Sequence, residues 1–248
     1  MRSVLITGCS RGIGLERVKQ LTGHKSAPEF IIATCRKPEE ARALQELSKK
    51  HKSIHVLKLD VTDFSSLGGF AKDVEGIVGD EGLNLLINNA GISGNKTAKL
   101  ADLKAEELAE IYKTNTIAPI LLTQALVPLL RKAASHNASA QLGIGKAAIV
   151  NISSSLGSVS RNTFGGYYGY RESKAALNTS TRSISHELAT DGILVMTLHP
   201  GWVKTDMGGK EADLTVEFSA AEIVKTLFKL GKEHQGAFLQ YDGSVLPW

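Results

Sequence analysis

Apolar residues along this chain fall into two alternating patterns. Short runs such as Val4-Leu5-Ile6 and Phe30-Ile31-Ile32-Ala33 are continuously apolar and stop at polar or glycine residues. Between them lie longer stretches with apolar residues at helical spacing, as in residues 12–23, where Ile13, Val18 and Leu21 are separated by charged side chains. The alternation continues to the C-terminus. It predicts a helix over 38–50, with Pro38 in the first turn where a missing N–H costs nothing, and a strand over 54–59. Asp63 reads as the N-cap of the next helix, followed by a strand at 83–87 and a long helical stretch over 103–132. Then come a strand at 147–152, a helix at 168–189, a strand at 193–198, a helix at 220–229 and a last strand at 237–240.

Strands that alternate with helices imply a parallel sheet with right-handed crossovers and helices on both faces. Strands apolar throughout fit a sheet covered on both sides. The expected fold is α/β: a Rossmann-type doubly wound parallel sheet of about seven strands, with residues 1–248 forming one domain. No linker or repeat interrupts it, and residues 135–146 read as a surface loop.

Composition narrows the function classes. No apolar run approaches the length of a membrane span. Residues 1–8 pass from the start methionine directly into a strand pattern, so neither a secretory signal nor a membrane is expected, and the location expected is cytoplasmic. Cys9 and Cys35 cannot build a disulfide framework, which suits a reducing compartment. The net charge of +4 is mild, and the densest basic run, Lys49-Lys50-His51-Lys52, reads as a solvated helix end. Without a basic stripe interleaved with aromatics, no nucleic-acid partner is expected. His51 and His55 are separated by the start of a strand, and no zinc spacing occurs, so no metal site is expected.

The chemistry begins at Gly8-Cys9-Ser10-Arg11-Gly12-Ile13-Gly14, three glycines between a strand and a helix. Such a turn lets backbone approach a pyrophosphate, with the free N–H groups and positive dipole end of the helix facing it. Gly8, Ser10, Arg11, Gly12, Ile13 and Gly14 are therefore candidate dinucleotide contacts, although a plain tight turn would use glycine too. The second strand ends in Ala33-Thr34-Cys35-Arg36-Lys37 without the acid that binds adenosine ribose in NAD-preferring sites. Arg36, with Arg11 beside it, suits a 2′-phosphate, so NADPH/NADP+ is the expected cofactor.

Tyr170-Arg171-Glu172-Ser173-Lys174 is the strongest motif. Residues four apart share a helix face, so the phenol and ammonium can converge. A close cation lowers the phenol pKa and equips Tyr170 to donate a proton to a carbonyl oxygen. Tyr167 and Tyr168 have no lysine four residues on. Upstream, Ser153-Ser154-Ser155 follows a strand at its C-terminal end, where a hydroxyl can hold a substrate oxygen. Asn115 precedes Pro119 by one turn, so its carbonyl lacks the usual helical N–H. That carbonyl can bind a water, or the site can be an ordinary proline kink.

Taken in order, these motifs resemble the short-chain dehydrogenase/reductase family over essentially the whole chain. They are Thr7 to Gly14, Leu59-Asp60-Val61, Asn88-Asn89-Ala90-Gly91, Asn115, Ser154, Tyr170 with Lys174, and Pro200-Gly201-Trp202-Val203-Lys204-Thr205. Within the family the chain is similar to Sniffer-type carbonyl reductases, near the C-factor group, through Leu5 to Cys9, His199 to Gly209 and Tyr241-Asp242-Gly243. The resemblance implies a catalytic tetrad of Ser154, Tyr170, Lys174 and Asn115, with the Asn115 carbonyl holding a proton-relay water. It also implies that Asp60 and Val61 flank the adenine and that Asn89, Ala90 and Gly91 line the dinucleotide. Pro200 and Gly201 join the cofactor-binding set, and Val203 and Thr205 hold the carboxamide. Sixteen positions separate Ser154 from Tyr170, more than is usual in the family, so Ser153 and Ser155 stay as alternatives. The surplus is placed in residues 162–166, at the pocket mouth.

The expected activity is reduction of an aldehyde, ketone or quinone, with Ser93, Phe164, Tyr168, Trp202 and Met207 around a small-molecule carbonyl substrate. Residues 208–217 are short for a lid. The competing reading is a non-catalytic NADP(H)-binding regulatory or scaffold protein on the same fold. The helical stretches 103–132 and 168–189 carry more apolar positions than one sheet face needs, and in the family they commonly form an interface. At least a homodimer is expected, with a tetramer as the larger option.

Overall fold

The computed structural model describes residues 1–248. Seven strands, β1 (Ser3–Ile6), β2 (Phe30–Cys35), β3 (Ile54–Lys58), β4 (Leu85–Asn88), β5 (Ala148–Ile152), β6 (Leu194–His199) and β7 (Phe238–Gln240), form one sheet in the order β3-β2-β1-β4-β5-β6-β7. All neighbours are parallel. This is the doubly wound Rossmann-type arrangement, and its strand order reverses at β1, which pairs with both β2 and β4. A crevice opens at such a reversal, outside the carboxyl ends of the strands.

Helices α1 (Gly12–Thr22), α2 (Arg42–Lys50), α3 (Leu67–Val78), α4 (Ala105–Tyr112), α5 (Ala118–His136), α6 (Tyr170–Glu187) and α7 (Val216–Leu227) complete the fold. Strand side chains alternate between faces, and the core divides accordingly. Val4, Ile6, Leu85 and Ile87 pack with Leu15, Val18 and Leu21 of α1, Leu44 of α2 and Ile223 and Leu227 of α7. Leu5, Leu86 and Ile149 point the other way, onto Phe70 and Val74 of α3 and Leu122, Leu126 and Leu130 of α5.

At the carboxyl end of the sheet the interior turns polar. Asn88 and Asn151 are register partners on β4 and β5. The Asn88 amide donates to Asn151 Oδ1 at 2.7 Å, and Asn151 Nδ2 donates to Thr181 Oγ1 of α6 at 2.8 Å. Buried amides need such partners, and here they lock the segments that carry Asn89 and Ser154.

Several expectations about single elements are corrected. Residues 38–50 do not form one helix: Pro38–Glu40 make a 3₁₀ turn, Ala41 leaves helical geometry, and α2 begins at Arg42. Asp63 precedes a 3₁₀ turn, and its carboxylate accepts the Ser65 hydroxyl at 2.6 Å instead of capping a backbone N–H. α6 starts at Tyr170, because Tyr167 and Gly169 adopt left-handed φ of 55° and 78°. α7 starts at Val216, where the Thr215 side chain accepts the Phe218 N–H. α5 runs on to His136, and Ile144 is buried, so residues 135–146 are only in part a surface loop.

The long helical stretch also differs. Ala105–His136 is continuous and is long and apolar enough, by length and composition, to cross a membrane, contrary to the expectation of no such run. Its apolar stripe is taken up by α3 and the sheet, which makes it a core helix. α6, in contrast, shows no surplus of apolar residues: its exposed positions are Glu172, Thr179, Arg182, Ser183, His186 and Glu187.

Candidate active site

The carboxyl ends of the strands open into a groove of about 690 Å³. Its floor is the glycine loop between β1 and α1. A Cβ at Gly14 would lie 2.3 Å from the Gly8 carbonyl oxygen and 2.8 Å from Asn89 Nδ2, so only glycine lets α1 begin this close to β1. The Thr7 hydroxyl accepts the N–H groups of Asn89 and Ala90, both at 2.9 Å, which ties the loop to the end of β4. The result is a backbone cradle at a helix N-terminus, the arrangement that binds a pyrophosphate.

Most of the expected dinucleotide residues meet along this groove. Gly8, Ser10, Arg11, Gly12, Ile13 and Gly14 line it, with Arg36, Asp60, Val61, Asn89, Ala90, Gly91, Tyr170, Lys174, Pro200 and Thr205. Gly201 and Val203 do not. The space a Gly201 side chain would need is filled by Leu214 and Tyr241, and Val203 is buried in an isolated parallel bridge to Leu214. Of the suggested pocket residues, Met207 reaches the groove, whereas Ser93, Phe164, Tyr168 and Trp202 lie off its lining. The Trp202 indole N–H is spent on the Gly208 carbonyl at 2.8 Å.

Charge along the groove is basic, with Arg11, Arg36, Lys113, Lys174 and Lys204 against the acids Asp60, Glu110 and Asp206. Arg36 is exposed at the groove wall. Asp60 is held below the usual carboxylate range by Thr62 hydroxyl and amide bonds, with a smaller contribution from Arg36 and Lys113. Lys113, a lining cation that sequence reasoning missed, stands over the Phe64 ring. Arg11 pairs with Asp206 at 2.8 Å, with both side chains exposed. Asp206 was legible only as part of a motif, and nothing in that motif announced an ion pair with residue 11.

At the chemical end Tyr170 and Lys174 line the groove, whereas Ser154 and Asn115 lie off its lining, Ser154 next to the Tyr170 phenol. Of the three serines after β5, Ser153 donates to Asn178 Oδ1 at 2.6 Å and is used up there. Ser155 begins a 3₁₀ turn. Ser154 accepts the Leu156 N–H at 3.1 Å, and its hydroxyl is near enough to the Tyr170 phenol to hold down the pKa of that group. Burial pushes that phenol up, and Ser154 offsets part of the rise. Lys174 Nζ donates to the Ile152 carbonyl at 2.8 Å and lies 5.9 Å from the centre of the Tyr170 ring. Burial lowers its pKa to about 8. The expected acidification of Tyr170 by Lys174 is thus absent in the free protein, because desolvation dominates both groups.

Asn115 sits, fully buried, in a π-helical segment, Lys113–Ile117, that joins α4 to α5. Pro119 supplies no N–H to the Asn115 carbonyl, and the helical ladder is interrupted at that place. The side chain is also committed. Oδ1 accepts the Ile92 N–H at 2.9 Å, and Nδ2 donates to the Ile92 carbonyl at 2.8 Å and to Ser173 Oγ at 3.1 Å. A Cβ at Gly91 would meet both Asn115 Oδ1 and Lys174 Nζ, at 3.1 and 3.6 Å, so these two residues flank the same glycine.

The long connection from Ser154 to Tyr170 is closed by Arg171. Its guanidinium donates to the carbonyls of Leu156, Gly165 and Gly166, stacks over Phe164 and is buried. Arginine's planar fork suits three carbonyls at once. In the sequence Arg171 reads only as a spacer in the tyrosine–lysine motif.

An α/β sheet with a phosphate cradle at its strand reversal, and a serine, tyrosine and lysine at the far end, defines a dinucleotide-binding protein equipped for proton transfer. Comparison with known proteins agrees. The family model for short chain dehydrogenases matches residues 2–214, and the chain belongs to the short-chain dehydrogenase/reductase family. It is similar to the carbonyl reductase Sniffer of D. melanogaster, with 48% identity, full coverage of both chains and a TM-score of 0.98. An NADPH-bound carbonyl reductase from chicken fatty liver is 44% identical, with 100% and 99% of the two chains covered and a TM-score of 0.94. The C-signal protein of Myxococcus xanthus is 39% identical over 166 residues, 67% of this chain and 93% of that one.

The depressed Lys174 pKa has a thermodynamic signature. The folded value is about 8 and the ordinary value 10.5. Between them the unfolded chain holds the proton that the folded chain has released, so stability rises with pH across that window. Lys174→Met removes this term. The melting temperature of the wild type is expected to gain on that of the variant as pH is raised from about 8 to about 10, with a constant difference below pH 7. Thermal unfolding of both proteins over this range checks it, and parallel curves would mean that Lys174 is solvated.

Proposed function

We propose that this chain is an NADPH-dependent carbonyl reductase that reduces an aldehyde, ketone or quinone, with Tyr170 as the general acid. The observation that carries this reading is that Tyr170 and Lys174 line one end of the groove whose other part is the glycine loop, with Ser154 next to the Tyr170 phenol. The named likeness to an NADPH-bound carbonyl reductase supports it.

When bound, NADPH supplies the hydride for the carbonyl carbon. The glycine loop and the first turn of α1 hold its pyrophosphate, and Arg36 holds its 2′-phosphate. Asp60 and Val61 border the adenine, while Asn89, Ala90 and Gly91 border the dinucleotide from the β4 side. Pro200 and Thr205 close the nicotinamide end; Gly201 and Val203 shape that segment from behind. Tyr170 donates its phenol proton to the substrate oxygen, and Ser154 hydrogen-bonds the same oxygen to orient it. Lys174 binds the nicotinamide ribose. With the cofactor bound, Lys174 would favour the phenolate that burial alone opposes. Asn115, at the interrupted helical turn, holds the water through which Tyr170 is reprotonated by way of Lys174. We read residues 1–248 as one domain, with a cytoplasmic location and neither a nucleic-acid nor a membrane partner.

Tyr170→Phe keeps the ring and deletes the acid. The variant is expected to bind NADPH with near-normal affinity and to lose about 10²–10⁴ in turnover, the range for a positioned general acid. Cofactor binding by fluorescence, together with single-turnover rates on an aromatic aldehyde, checks this. Wild-type turnover in Tyr170→Phe would remove the acid role and favour the non-catalytic binding reading.

Cofactor choice rests on Arg36. NADPH is expected to be strongly preferred to NADH, and Arg36→Asp to weaken NADPH binding by roughly ten- to a hundredfold while leaving NADH little changed, the worth of one charge-assisted contact. Equal use of both cofactors by the wild type would remove Arg36 and Arg11 from that role.

At least a homodimer is proposed. Exposed Tyr112 and Ile117 along the α4–α5 helix, with Leu100 before it, support it, whereas the polar outer face of α6 does not. Sedimentation at micromolar concentration should give twice the 26.5 kDa chain mass or more; a lone monomer would overturn it.

A further inference from the structure

α1 carries an arginine on a face where its neighbours are apolar. Arg17 is fully buried, on the same inward stripe as Gly14, Leu15, Val18 and Leu21. Its Nη1 donates to Asn89 Oδ1 at 2.9 Å, while Nε and Nη2 have no partner. No carboxylate reaches it. The titratable group that its charge reaches is the Cys9 thiol, which burial pushes up to about 12 and so keeps neutral. Burial pulls Arg17 itself down to about 10, and it remains a cation at neutral pH. A buried charge with no opposite charge is among the most costly features a fold can carry.

The position of this cation suggests what compensates it. The Asn89 side chain that accepts from Arg17 also donates to the Thr7 carbonyl at 2.8 Å and to the Gly8 carbonyl at 3.4 Å, at the opening of the glycine loop. Gly14, three residues before Arg17 on the same helix face, is the residue that packs against the Gly8 oxygen. Arg17 therefore lies one hydrogen-bond relay beneath the phosphate cradle and reinforces the positive end of α1. Arg17 itself is fully buried while Asn89, the relay, borders the groove, so the charge is less screened than one in solvent.

We propose that Arg17 is the buried half of the pyrophosphate site, a cation left uncompensated in the free protein and neutralised across the glycine loop when the dinucleotide binds. This rests on the dinucleotide reading given above. It makes the free protein less stable than its fold allows and makes the cofactor a structural counter-ion as well as a reagent. The chain then couples folding to cofactor supply more tightly than groove contacts alone would.

The test compares wild type, Arg17→Met and Arg17→Lys by thermal unfolding and by titration calorimetry. The probes are NADP+ and adenosine 2′-monophosphate, which carries the 2′-phosphate but no pyrophosphate. Arg17→Met keeps a long apolar stem and loses the charge. It is expected to melt above the wild type without ligand, to bind NADP+ about tenfold more weakly, to gain less in melting temperature from NADP+, and to bind adenosine 2′-monophosphate as the wild type does. Arg17→Lys, which keeps the charge, should stay near the wild type for NADP+. Unchanged NADP+ affinity in Arg17→Met, equal weakening for both probes, or a ligand-free melting temperature below the wild type would each overturn the inference. Absence of NADP+ binding by the wild type itself would instead overturn the cofactor reading and the Arg17 inference with it.

Discussion

The Gly14 Cα lies so near the Gly8 carbonyl that a single added carbon would come within 2.3 Å of that oxygen. This approach of α1 to the end of β1 sets the rest of the molecule. It places the helix N-terminus directly over the strand reversal, where β1 has β2 on one side and β4 on the other. It brings Asn89 under the loop, and through Thr7 it pins the start of the Asn89-Ala90-Gly91 segment that forms the far wall. From that wall, Gly91 opens onto Asn115 and Lys174. One close contact thus joins the two ends of the groove.

The groove separates two electrostatic regimes. Its adenine end is exposed, and Arg36, Arg11 and Lys113 act there in a high-dielectric, salt-screened setting. Its chemical end is more deeply set, with Lys174 buried and Tyr170 partly so. Lys174 is lowered and Tyr170 raised by the same desolvation, so in the free protein both are biased toward their neutral forms.

Much of this was legible in the sequence. Apolar runs and helical periods located all seven strands, because the central strands, covered on both faces, have few polar positions and these fall mainly at their carboxyl ends. The glycine loop, Tyr170 with Lys174, and the ordered motifs identified the groove and most of its lining. What escaped depends on long-range packing. The start of α6 at Tyr170 follows from left-handed backbone at Tyr167 and Gly169, and tyrosine is not a residue that announces such a conformation. The choice of Ser154 over Ser153 follows from Asn178, 25 residues further on, claiming the other hydroxyl. Pro119 pointed to an interrupted ladder but not to its π-helical form. Arg17 reads in sequence as one more solvated charge on a surface helix, and only the packing of α1 against the sheet shows it inside.

The clasp formed by Arg171 has a consequence for how the loop between Ser154 and Tyr170 can change. Its three acceptors are main-chain carbonyls, of Leu156, Gly165 and Gly166. They belong to the path of the loop and not to its side chains. Thr163 can be exchanged while the path stays where the guanidinium holds it, whereas Asn162, whose side-chain oxygen accepts the Gly165 N–H at 3.1 Å, and Phe164, whose ring lies under the guanidinium, belong to the clasp itself. The loop between Ser154 and Tyr170 is therefore free to vary by position and not as a whole.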